Sequence, residues 1–72
     1  MTTISLRTFL EKMHGIDFVC ISTSNGWAYD CDITEVDSIP QELLERVVDR
    51  ADFVIFNGND DLQYISVKIR LF

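Results

Sequence analysis

Basic side chains are scarce in this chain. Six lysines and arginines stand against twelve aspartates and glutamates, and the 72 residues carry a formal charge of −6. No basic run occurs: Lys68 and Arg70 stand alone near the end, while Arg46 and Arg50 sit among carboxylates. A surface of this sign repels phosphate, so direct DNA or RNA binding is not expected. Cysteine is also sparse. Cys20 and Cys31 are too few for a disulfide scaffold or an all-cysteine zinc site. The one histidine, His14, belongs to no legible Ser–His–Asp or Cys–His arrangement. No apolar run approaches the roughly 20 residues that span a bilayer. The N-terminus lacks a basic region followed by an apolar block. A soluble, cytoplasmic chain without membrane contact is therefore expected.

What is present is a partly repeated pattern. Leu10-Glu11-Lys12 leading to Asp17-Phe18-Val19 returns as Leu44-Glu45-Arg46 leading to Asp52-Phe53-Val54. Each half then ends in a strand-like stretch bearing Tyr29 or Tyr64. Self-similarity of this kind predicts two helix–hairpin units, about 5–33 and 40–71, within a single domain. A domain this small sits near the lower limit for an independent core, which favours support from a partner or a second copy.

Local signals fill in the elements. Ser5 can cap a helix over about Ser5–His14 whose apolar face is Leu6, Phe9, Leu10 and Met13, with Gly15 as its terminator. Asn25-Gly26 predicts a type I′ hairpin between strands at Asp17–Thr23 and Trp27–Ile33. That turn would oppose Cys20 to Cys31 and Phe18 to Ile33, and place both pairs on the core face with Ser22, Trp27 and Tyr29. Val19, Ile21, Ala28, Asp30 and Asp32 would then lie on the reverse. Pro40 suits a helix start, and Leu43, Leu44, Val47, Val48 and Ala51 recur at helical spacing, predicting a helix over Pro40–Ala51. A competing reading starts a strand at Val47, because adjacent valines favour β structure. Strands at Asp52–Phe56 and Leu62–Leu71 close the chain around Asn57–Asp61. Phe53, Ile55, Ile65, Val67 and Ile69 share one face there. The plan is αββαββ, a four-stranded antiparallel sheet with both helices packed on one face.

The densest acidic stretch runs Asp30-Cys31-Asp32-Ile33-Thr34-Glu35-Val36-Asp37. It fails as a calcium loop, because Glu35 stands where such a loop needs glycine and Gln41 where it needs glutamate. Nothing marks any acid as catalytic, since paired carboxylates work by desolvation in a cleft that a two-layer domain of this size scarcely provides. Asn57-Gly58-Asn59 lacks the lysine and following helix of a phosphate loop. Neither metal nor cofactor is expected. Cys20 and Cys31 are read as reduced core thiols.

Taken together, Leu6–Leu10, Asn25-Gly26, Ile39-Pro40-Gln41-Glu42-Leu43-Leu44 and the closing stretch from Asp61-Leu62 to Ile69 resemble small acidic proteins of phages and mobile elements. Those proteins usually have a shorter middle segment, and the Val47–Phe56 run departs from that. No functional residue carries over. The resemblance implies an accessory protein that blocks a host protein, often a nucleic-acid-handling or defence protein with a basic surface. The leading expectation is a non-enzymatic interaction module. Ile21, Phe56, Leu62 and Tyr64 would anchor a protein partner, and Asp30, Asp32, Glu45 and Asp49 would supply charge. The alternative is a homodimeric scaffold packed sheet to sheet. A small enzyme or metal protein is the third reading.

Overall fold

The computed structural model describes residues 3–72. The order is α1 (Leu6–Glu11), β1 (Phe18–Thr23), β2 (Gly26–Asp32), a 3₁₀ segment (Ile33–Ser38), α2 (Gln41–Leu44), β3 (Val48–Asn57) and β4 (Gln63–Leu71). The four strands form one sheet in the order β2-β1-β4-β3. Both hairpins are antiparallel, but β1 and β4 meet in parallel at the centre. The expected α+β plan with one four-stranded sheet holds. The expectation of a purely antiparallel sheet does not, because the two hairpins join through β1 and β4, which run the same way.

The helices are shorter than the sequence suggested. Ser5 caps α1 as anticipated, its hydroxyl accepting the Thr8 N–H at 3.2 Å. The helix then tightens: Lys12 N–H reaches Phe9 O and Met13 N–H reaches Leu10 O, three residues back rather than four. Gly15, at φ +76°, takes the left-handed conformation and turns the chain toward β1. In the second half the helix ends at Leu44, and the strand reading of Val47–Ala51 is the correct one. Tertiary pairing decides this. Val48 N–H donates to Ile4 O at 2.8 Å and Phe72 N–H to Val47 O at 3.0 Å, so this backbone is held from both sides. Helix propensity, worth only tenths of a kcal/mol for valine, does not compete.

The largest correction concerns β1. Asn25 is not at positive φ, so the turn is not type I′; Gly26 alone takes positive φ there, at +108°. Two residues, Ser24 and Asn25, connect Thr23 to its partner Gly26, and Ala28 is the extra residue where the register shifts between Ile21 and Ser22. Cys20 therefore opposes Asp30, and Cys31 opposes Val19, with both thiols free. Tyr29, Cys31 and the following Ile33 keep their inward role, but β1 presents its other side, and the extra residue exchanges the ends of β2 as well: Trp27 is 66% exposed while Ala28 packs against the core. Val19 and Ile21 are buried, while Phe18 and Cys20 face away from the core.

The core lies between the sheet and the helical layer. Leu6, Leu43 and Ile39 cover Val19, Ile21, Val67, Ile69 and Leu71. β4 alternates as expected, with Val67, Ile69 and Leu71 buried and Lys68 and Arg70 exposed. Asp17 joins three strands just before β1. Its N–H donates to Ile65 O and its carboxylate accepts the Ile65 N–H, both at 2.8 Å, while its carbonyl accepts the Ile33 N–H at 2.9 Å. The two Asp-Phe-Val stretches are not placed alike. Val19 is buried on a central strand, whereas Val54 is exposed on an edge strand. No described helix is long and apolar enough to cross a membrane.

Candidate functional site

The sheet face turned away from the helices is organised in rows set by register. Asp30, Cys20, Lys68 and Asp52 form one row across all four strands; Asp32, Phe18, Ser66 and Val54 form the next. Phe56 and Tyr64 pair directly beyond Val54 and Ser66. The rings of Phe18, Phe56 and Tyr64 gather there, with centroids 5.7–5.8 Å apart. Toward the opposite end, Arg50 and Arg70 are cross-strand partners, an unfavourable pairing of like charges. Each is relieved by an aspartate: Asp52 lies 3.5 Å from Arg50, and Asp49 lies 3.7 Å from Arg70.

Beside the aromatic cluster, a shallow concavity of about 420 Å³ is lined by Phe18, Cys20, Asp30, Asp32, Glu35 and Ser66, with contributions from Val19 and Cys31. Glu35 arrives there because the 3₁₀ segment follows directly on β2 and keeps its first turn beside Asp30 and Asp32. Tyr29 holds that segment in place, its hydroxyl lying 2.8 Å from Ser38 Oγ. Among the described residues no group of three His, Cys, Asp or Glu side chains is placed to hold a metal. Partial burial, and then the carboxylates of Glu35, Asp32 and Asp30, push the Cys31 thiol above its ordinary value. That disfavours the thiolate a nucleophile needs. What the concavity offers is carboxylate acceptors next to ring faces, a setting that suits a guanidinium able to hydrogen-bond and stack at once.

The eight residues expected at a partner surface separate. Ile21 is 0% exposed and cannot touch a partner, a direct consequence of the slipped β1 register. Phe56 and Tyr64 come together in the aromatic cluster. Leu62 is exposed in the turn that precedes β4. Asp30 and Asp32 share the concavity. Glu45 is at the end of α2, where its carboxylate accepts from Gln41 at 3.1 Å, and Asp49 is engaged with Arg70. Two contributors were missed. Phe18 was assigned to the core by the wrong register. Glu35 was visible in the acidic stretch, but nothing in the sequence aimed it at Asp30 and Asp32.

The β3–β4 turn locks Tyr64. Its hydroxyl donates to Asp60 Oδ2 at 2.5 Å, and the Leu62 N–H donates to Asp60 Oδ1 at 3.1 Å. The Tyr64 bond, with help from Leu62, holds the Asp60 carboxyl below its ordinary value, and the same bond raises Tyr64 above the usual 10.0. The signs differ. The Asp60 contribution is fully present above the ordinary carboxylate value and is lost as pH falls through the lowered one. The Tyr64 contribution is present below about 10 and is lost as pH rises through the raised value. NMR titration of the Asp60 carboxyl is expected to show a depressed midpoint that returns toward the ordinary value in Tyr64→Phe. An unmoved midpoint would mean that the lock does not persist in solution.

No protein-family model, curated protein or solved structure matches this chain, so the geometry of this face stands as the ground for a functional reading.

Proposed function

We propose that this chain is a non-enzymatic protein-interaction module whose partner presents a basic surface. The observation that carries the reading is the concavity in which Asp30, Asp32 and Glu35 gather beside Phe18, one of the three rings of the Phe18–Phe56–Tyr64 cluster on the open sheet face. The carboxylates supply acceptors and long-range attraction; the rings supply apolar area at little entropic cost. An arginine-bearing surface satisfies both. Surfaces that bind nucleic acid are of this kind. With the resemblance to phage and mobile-element proteins, the sharpest form of the proposal is an inhibitor that occupies the basic surface of a host nucleic-acid-handling or defence protein. A sheet-to-sheet scaffold is less well supported, because two such faces would also bring Lys68, Arg50, Arg70 and their aspartates together across a dry interface.

The double charge reversal Asp30→Lys/Asp32→Lys tests this. Both side chains are exposed, so the fold is expected to survive, as circular dichroism would show. The protein captured by the wild-type chain would be titrated against both forms by calorimetry. At least a tenfold loss of affinity is expected, together with weakening of wild-type binding as salt rises. Equal affinity of the two forms would overturn the proposal.

A further inference from the structure

The sheet has two edges, and they are treated differently. β2, at one edge, exposes the charges of Asp30 and Asp32, which resist pairing with another strand. β3, at the other, is the longest strand, and its backbone pairs with β4 on one side only. The Ile4–Ser5 segment covers its outer side at Val47 and Val48. Beyond that point, no described residue pairs with it. Its free part contains four consecutive apolar residues, Phe53, Val54, Ile55 and Phe56, with exposures of 56, 39, 66 and 39%. They point alternately to both faces, as strand residues do, and all four are exposed. Such an edge, without proline and without charge between Asp52 and the turn, invites a further strand.

We propose that β3 pairs antiparallel with β3 of a second copy of this chain, joining the two sheets into one across a two-fold axis at Val54. The segment is complementary to itself in this register. Val54 meets Val54 of the other copy, Phe53 meets Ile55, and Asp52 meets Phe56, with all faces matched because side chains alternate. Charge selects the antiparallel sense. Arg50 of each copy is brought opposite Gly58 of the other, beside the acidic turn residues Asp60 and Asp61. This contact occurs twice, and it is absent if the strands run parallel. An interface built from the same patch on both copies closes at two and leaves no free apolar edge. The acidic face proposed for the partner remains open on both copies, so the two proposals stand or fall separately.

Light scattering over a range of concentrations is the primary test. A mass twice the 8.3 kDa of the chain is expected. The dimer should tighten as salt rises, because each copy carries −6. Ile55→Lys, at an exposed position, should weaken it at least tenfold without altering the circular dichroism spectrum. With Cys20→Ser and Cys31→Ser in place, Val54→Cys should oxidise to a covalent dimer and Lys68→Cys, in the middle of the open face, should not. A mass of one chain at every concentration overturns the proposal, as do assemblies larger than two. A dimer that cross-links through Lys68→Cys and not through Val54→Cys overturns it as well.

Discussion

Ile21→Ala is expected to destabilise the fold by about 2–5 kcal/mol, the range for truncating a fully buried large aliphatic side chain. Ile21 is 0% exposed, and its strand partners are Tyr29 on β2 and Ile69 on β4. The lost side chain would leave a cavity between the centre of the sheet and the helical layer, which the hydrogen-bonded strands are poorly able to close. At the usual ~0.05–0.15 kcal/mol per residue, a chain of 72 residues has about 4–11 kcal/mol in total. The substitution thus removes a large share of stability and leaves a protein close to unfolding at room temperature. Ile21→Val should cost only about 0.5–1.5 kcal/mol. Urea denaturation of the three forms measures this. A variant with unchanged midpoint and lost partner binding would instead make Ile21 a surface anchor and the register of β1 wrong.

Asp17→Ala carries the second large effect, about 1–3 kcal/mol, the usual cost of stranding a partly buried backbone donor. The Asp17 carboxylate accepts the Ile65 N–H where β4 enters the centre of the sheet, and its backbone ties β1 to both β4 and β2. Alanine keeps the backbone bonds and deletes the side-chain acceptor, so the Ile65 amide loses its partner. Asp17→Asn retains an acceptor oxygen and should lose less. Hydrogen exchange at the Ile65 amide distinguishes the variants: fast in Asp17→Ala, intermediate in Asp17→Asn. Equal exchange in all three would show that the carboxylate contributes nothing to the junction.

These two residues show where the sequence was legible and where it was not. Ile21 reads as an apolar anchor, but the Asn25-Gly26 register puts it on the wrong side of the sheet. Phe18-Val19-Cys20-Ile21 is apolar at every position, so no alternation tells one face from the other. The register was inferred from Asn25-Gly26, and the extra residue at Ala28 slips the strand by one. In β2 the alternation of Tyr29 and Cys31 with Asp30 and Asp32 survives the same slip, because its polarity pattern specifies the face directly. In the second hairpin the turn lies one residue from its expected position, but Asn57 pairs with Gln63 and the slip is even, so the faces of Phe53, Ile55, Ile65 and Val67 are unchanged. Asp17 had no signal at all. Its role depends on Ile65, far away in the chain.

The candidate face divides along the same line. Phe56, Tyr64, Asp30 and Asp32 were chosen from their types and faces and do lie on the open side. Phe18 joins them through the β1 slip, and Glu35 comes beside Asp30 and Asp32 from the 3₁₀ segment.

Read alone, the chain specifies the order of its helices and strands, the cap at Ser5, the faces of β4 and of Tyr29–Asp32 in β2, and a net charge of −6. Each of these follows from neighbours within a few residues or from composition. The parallel meeting of β1 and β4, the conversion of Val48–Ala51 from helix to strand, the burial of Ile21 and the stretch of β3 that no described residue covers arise only on folding. They depend on which strand finds which, a choice settled by burying Val19, Ile21, Val67 and Ile69 together under Leu6 and Leu43. Residues so far apart in the chain carry no mark of one another until the core closes.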